Sequence, residues 1–113
     1  MQVIFESRDA TGNHLRELSV ERVRFTLRRL NAMVARAKVQ FSDVNGPRGG
    51  VDIRCQVELS TEAAGTVVIA SLASDWRTAL DRSLRRATRV LKRSLQRSQK
   101  PLRGRNARLA LDS

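Results

Sequence analysis

The sequence of 113 residues contains one cysteine, one histidine, one tryptophan, three phenylalanines, two prolines and no tyrosine. The lone Cys55 forms no internal disulfide, and beside a single histidine it builds no Cys/His zinc site; both facts suit a reducing cytosol. With His14 the only imidazole, no paired-histidine relay or histidine metal cluster exists. So few aromatics exclude the exposed platforms on which single-stranded bases stack. No apolar run approaches the ~20 residues of a membrane helix. The opening Met-Gln-Val-Ile-Phe-Glu lacks the basic-then-apolar layout of a secretion signal. The expectation is a cytoplasmic chain with no membrane partner.

Carboxylates are also scarce. Lysine and arginine number 22 against 11 Asp and Glu, for a net charge of +11, and arginine supplies 19 of the 22. A guanidinium fork binds phosphate through two parallel hydrogen bonds, which an ammonium cannot do. The excess is localised. Residues 75–113 hold twelve basic and three acidic residues, and residues 1–74 hold ten and eight. A basic charge this large and this concentrated points to a polyanionic partner.

Periodicity divides the chain into elements. Gln2-Val3-Ile4-Phe5-Glu6 predicts a short strand, and Asp9 to Asn13 a turn in which Thr11 or Asn13 caps the next helix. From His14 to about Leu30, Leu15, Ser19, Val23, Thr26, Leu27 and Leu30 share one helical face, with Leu18 and Phe25 off it and Arg22 at its edge. Period two follows. Met33, Ala35, Ala37, Val39 and Phe41 point one way, and Val34, Arg36, Lys38, Gln40 and Ser42 the other. After a loop from Asp43 to Gly50, alternation resumes with Val51, Ile53, Cys55, Val57 and Leu59 inward. Thr61 to Gly65 turns the chain into a third meander strand, Thr66 to Leu72.

Ser74 or Asp75 then caps a long helix, Asp75 placing a carboxylate at the positive end of its dipole. Trp76, Leu80, Leu84, Ala87, Leu91 and Leu95 group on one side. Arg82, Arg85, Arg86, Arg89, Lys92 and Arg93 group about half a turn away. The pattern stops at Ser98, so residues 1–97 are expected to form one α+β domain and residues 98–113 a basic, disordered tail. The order β-α-β-β-β-α implies a four-stranded sheet with both helices on its apolar face. The first strand, reached through a helical crossover, is expected to pair in parallel.

The cationic row decides the functional reading. It spans about 16 Å at the helical rise of about 1.5 Å per residue. Like charges at i, i+3 and i+4 cost roughly 0.2–0.5 kcal/mol per pair, and Asp81 can relieve this only slightly, through Arg77 and Arg85. Selection for stability alone would mix signs on this face; phosphate neutralisation explains why it does not. Other candidates offer less. His14 reads as a surface residue at a helix start, Cys55 as a buried inert thiol and Trp76 as core. The Asn45–Gly50 loop lacks dinucleotide or P-loop spacing, with Arg48 an additional phosphate contact at most. Glu6, Asp43, Asp52, Glu58 and Glu62 are scattered, with no convergent acid–base pair. The expectation is a non-enzymatic protein with no metal, cofactor or small-molecule substrate.

Two stretches resemble the short ribosome hibernation-promoting factor family, also called ribosome-associated translation inhibitor or sigma-54 modulation protein. Asp75-Trp76-Arg77-Thr78-Ala79-Leu80-Asp81 resembles the opening of that family's last helix, with Trp76 and Arg77 where a tyrosine is usual. Leu15-Arg16-Glu17-Leu18 resembles the start of its first helix, and the loop Asp43 to Asp52 is similar to a variant in some members. The resemblance covers about residues 1–97. It implies a fold like that of double-stranded RNA-binding domains and binding to small-subunit rRNA in the channel used by mRNA and tRNA, which blocks translation sterically. Arg86, Arg89 and Arg93 align with the family's basic last-helix positions, and Arg22 with one on the first helix. The expected RNA-binding set is Arg22 and Arg29 on the first helix with Arg82, Arg85, Arg86, Arg89, Lys92 and Arg93 on the last. The short form implies no C-terminal dimerisation domain and a monomer when free. The alternatives are a general double-stranded RNA-binding or RNA-chaperone module, or a protein-binding regulator with an acidic partner.

Overall fold

The computed structural model describes residues 1–7, 14–45 and 51–108, with side chains described through Arg97 except at Asn45 and Val51. The elements are β1 (Gln2–Ser7), α1 (Leu15–Thr26), β2 (Arg36–Asn45), β3 (Val51–Thr61), β4 (Gly65–Ala73) and α2 (Trp76–Arg108). They form a four-stranded sheet in the order β1-β2-β3-β4. Strand β1 pairs in parallel with β2, while β2–β3 and β3–β4 are antiparallel. Both helices pack on one face, α2 across β3 and β4, and α1 against β1 and α2. This is the expected α+β architecture.

The register carries the alternation across the whole sheet. Phe5 lies opposite Val39, Val39 opposite Val57, and Val57 opposite Ile69, all facing the helices. One residue along, Glu6, Gln40, Gln56 and Ala70 line up on the other face. There Gln40 Nε2 donates to Glu6 Oε1 at 2.8 Å, Gln56 Nε2 to Gln40 Oε1 at 3.3 Å, and an Arg54 guanidinium nitrogen to Gln56 Oε1 at 3.1 Å. Period-two patterning thus gives an apolar face and a polar, solvent-facing one.

The inner face is filled by Ala37, Val39, Phe41, Cys55, Val57, Leu59 and Val67 from the sheet and by Ala79, Leu80, Leu84, Ala87, Leu91 and Leu95 from α2. Burying a leucine side chain stabilises by about 1.5–3 kcal/mol, so the periodic underside of α2 suffices to hold the helix down. Phe41 packs against Phe5 at 5.8 Å between ring centroids and edge-on against Trp76 at 6.4 Å. Trp76 is partly buried against this core, as expected. Ser83 Oγ, fully buried, donates to the Cys55 carbonyl at 2.8 Å and pins α2 onto β3.

Three expectations need correction. The first helix ends at Thr26, not near Leu30; Leu27 to Met33 form successive turns through Leu30 N–Leu27 O and Met33 N–Leu30 O bonds, each 2.9 Å. Strand β2 therefore starts at Arg36, and the inward parity does not reach back to Met33. Met33 is 47% exposed and Val34 is buried, because both lie in the turn before the pleat begins. Thr26, placed on the apolar stripe by periodicity, is exposed at the helix end. At the β3–β4 turn Gly65 takes φ +72°, and Thr61 Oγ1 accepts from Ala64 N and donates to Gly65 O, each at 2.9 Å. The left-handed residue closing this short hairpin loop is what glycine supplies cheaply.

Asp75 caps α2 as expected. Thr78 donates its backbone N–H to Oδ1 at 2.8 Å and its hydroxyl to Oδ2 at 3.0 Å. These bonds, the backbone one foremost, hold the Asp75 carboxyl below the usual carboxylate range. The capping expected of Thr11 or Asn13 lies outside the described residues, and His14 at the N-cap of α1 is exposed without a side-chain cap bond. The backbone of α2 continues through Ser98 and Pro101 to Arg108, beyond the apolar periodicity that ends at Leu95.

Candidate nucleic-acid interface

Helix α2 positions the candidate residues. Its underside faces the sheet, so Arg82, Arg85, Arg86, Arg89, Lys92 and Arg93 are all exposed on its outer surface. Among the described residues, none of these six is ion-paired with a carboxylate. Arg82 Nη1 donates to the Leu72 carbonyl at 2.9 Å, a neutral acceptor that orients the guanidinium without cancelling its charge. The row expected from the sequence is therefore exposed along one helix whose apolar underside is buried on the sheet.

Arg22 is placed differently. Its Nε donates to Asp81 Oδ1 at 2.7 Å and its second terminal nitrogen to Oδ2 at 2.8 Å, a two-pronged pair joining α1 to α2. The two side chains are 38% and 30% exposed. Asp81 is thus engaged across the helix interface, and among the described residues no ion pair joins it to Arg77 or Arg85 along α2. Arg29 is also displaced from expectation: it lies in the turn after α1, exposed, and not on the helix. Its neighbour Arg28 stacks 4.2 Å over the Phe25 ring and donates to the Phe25 carbonyl.

A groove of about 500 Å³ runs between the helices, lined by Arg22, Asp81, Arg85, Thr88, Arg89 and Lys92 among others. Periodicity reveals the cations but not this groove, since it depends on where α1 crosses. Thr88 Oγ1 is buried in this region with no hydrogen-bond partner. The hollow of about 720 Å³ at β1–β3 has a mixed lining, with Glu6 beside Arg16 and Arg54. Arg48 lies outside the described residues. Among the described residues no group of His, Cys, Asp or Glu could hold a metal ion. Burial pushes the Cys55 thiol up to about 12, so it stays protonated and unreactive at neutral pH.

No family model matches the sequence, and no curated protein matches it. Solved structures do. The chain is similar to a ribosomal subunit interface protein from Coxiella burnetii, with 14% identity and a TM-score of 0.61 over 81% of this chain and 96% of that one. It is similar also to the N-terminal domain of Protein Y from Thermus thermophilus, with 19% identity and a TM-score of 0.55 over 85% of this chain and 98% of that one. The likeness is one of fold: the four-stranded sheet with two helices is shared nearly end to end. No helix among the described residues is long and apolar enough to cross a membrane.

Proposed function

We propose that this protein is a ribosome-associated factor of the hibernation-promoting type. It binds small-subunit rRNA in the mRNA and tRNA channel and lowers translation by occupying it. The observation that carries the reading is the α2 surface: six exposed cations without carboxylate partners, on a fold shared with a ribosomal subunit interface protein. The resemblance of the Asp75–Asp81 stretch to the hibernation-promoting family supports it independently.

Mechanistically, Arg82, Arg85, Arg86, Arg89, Lys92 and Arg93 neutralise backbone phosphates and release their counterions. Arg29 adds a further cation beyond the end of α1. Arg22 acts chiefly through Asp81, tying the first helix to the second. Recognition is by backbone and shape, since aromatic side chains for base stacking are few and Trp76 packs on the core. The protein acts by steric occupation in the cytoplasm and catalyses no reaction. Residues 1–97 form the binding domain, and the basic segment beyond adds non-specific attraction.

The test is co-sedimentation with ribosomal subunits at moderate salt. The wild-type protein should pellet with small subunits. The Arg86→Glu/Arg89→Glu/Arg93→Glu variant should stay in the supernatant while keeping its circular dichroism spectrum; pelleting of the folded variant overturns the assignment. Free duplex RNA added as competitor should displace the wild type poorly. Efficient displacement would favour a general double-stranded RNA-binding module.

A further inference from the structure

Arg54 projects from the outer face of β3, away from α2 in sequence and in element, yet it shares a hollow with two α2 arginines. The hollow, about 400 Å³, wraps the edge of β4 and is lined by Arg54, Ala70, Ser71, Leu72, Arg82 and Arg86. Among the described residues no carboxylate lines it. Arg54 is oriented by Gln56 Oε1 at 3.1 Å and Arg82 by the Leu72 carbonyl at 2.9 Å, both neutral acceptors. A guanidinium has five donors, so each keeps most of them free, and Arg86 makes no hydrogen bond among the described residues. Three cations gathered at one hollow repel each other unless an anion joins them. The volume suits a small ligand, whose pockets run roughly 300–1,000 Å³.

We propose that this β4-edge hollow is a phosphate seat that joins Arg54 of β3 to two members of the α2 row, Arg82 and Arg86, so that the three close on one phosphoryl group. The proposal stands on the convergence of these three side chains and not on the ribosomal reading. The phosphate belongs either to an RNA backbone or to a free oligophosphate. Guanidinium forks suit both, because each presents the same pair of acceptor oxygens.

The test uses the whole chain and inorganic pyrophosphate, followed through arginine Nε–H resonances. Arg54, Arg82 and Arg86 signals should shift together along one binding curve. R54Q and R86Q should each weaken that curve about fivefold or more, while R93Q, outside the hollow, leaves it unchanged. A short A-form RNA duplex then separates the sources. If the RNA backbone fills the seat, R54Q also weakens duplex binding and reduces the salt slope by about one. If a free oligophosphate does, R54Q loses pyrophosphate and binds duplex as before. The proposal is overturned if R54Q and R86Q bind pyrophosphate like the wild type, or if Arg89 and Arg93 signals respond as strongly as Arg54. Loss of pyrophosphate binding alongside intact subunit co-sedimentation bears on this seat alone, and the reverse bears only on the proposed function.

Discussion

Helices α1 and α2 both bury one face and carry arginine on the other, but they use charge in opposite ways. Helix α1 mixes signs: Arg16, Glu17, Glu21, Arg22 and Arg24 alternate within three turns. Helix α2 carries one carboxylate from Trp76 to Arg97, Asp81, and that carboxylate is bonded to Arg22 of the other helix. Helix α1 therefore resembles an ordinary solvated surface, its residual apolar groups Leu18 and Phe25 left 47% and 67% exposed. Helix α2 keeps its apolar residues underneath and its repulsion uncompensated on top. The difference teaches that apolar burial and unpaired positive charge are separated by face on α2, and that a charged side chain on α1 is no guide to one on α2.

The sharpest way to break that comparison is to truncate the underside of α2. Leu84→Ala, at a position 1% exposed, should lower the unfolding free energy by about 2–5 kcal/mol in a urea titration. A loss below about 1 kcal/mol would mean that α2 is not held by its apolar stripe.

Next in size is an effect of pH on the ground beneath α2. The Cys55 pKa is raised by burial from 9.0 to about 12. A thiol with a raised folded-state pKa contributes stability that is complete below its unfolded value and is lost as pH rises toward the folded one. Between pH about 9 and about 12 stability should fall by up to about 1.4 kcal/mol per pH unit through this group. Comparing the wild type with Cys55→Ala across that window isolates it; identical slopes would show that the thiol is not desolvated.

The Arg22–Asp81 pair gives a smaller and more discriminating change. Both Arg22→Ala and Asp81→Ala should destabilise by about 0.5–1 kcal/mol, as partly exposed pairs do. Their effects on duplex RNA binding should diverge. Asp81→Ala removes a carboxylate that lines the groove beside Arg85, Arg89 and Lys92 and should tighten binding at low salt, whereas Arg22→Ala should not. If Asp81→Ala weakens binding without unfolding, the pair matters more for shaping the groove than for charge. Smallest of all, Phe25→Ala on the exposed side of α1 should shift stability by no more than about 0.5 kcal/mol. A larger loss would show that its contact with Arg28 holds the turn after α1.

Much of the architecture was legible because it is periodic. Ala37, Val39 and Phe41 alternate, Leu80, Leu84, Leu91 and Leu95 recur at helical spacing, and burial follows both. The cations of α2 were legible for the same reason, as the complement of its apolar stripe. Where periodicity lapses, so does the reading. Met33 and Val34 continue a two-residue pattern on paper, but the chain there is still turning, so their exposures are reversed. The Arg22–Asp81 bond links residues 59 apart, and Arg54 shares a hollow with Arg82 and Arg86 because β4 is an edge strand packed against α2. Such contacts arise from how elements are placed against each other, and no local pattern encodes them.

Strand β1 occupies the other edge, and its parallel pairing makes it dependent on everything laid down between Gln2 and its partner Arg36. The three-stranded meander and α2 can assemble from sequence neighbours, but the N-terminal strand must wait for its crossover to form. Its amides should therefore exchange with solvent deuterium through a partial opening, sooner than those of β3 at the centre. Pulling on the N-terminus should peel away that one strand before the rest of the molecule yields.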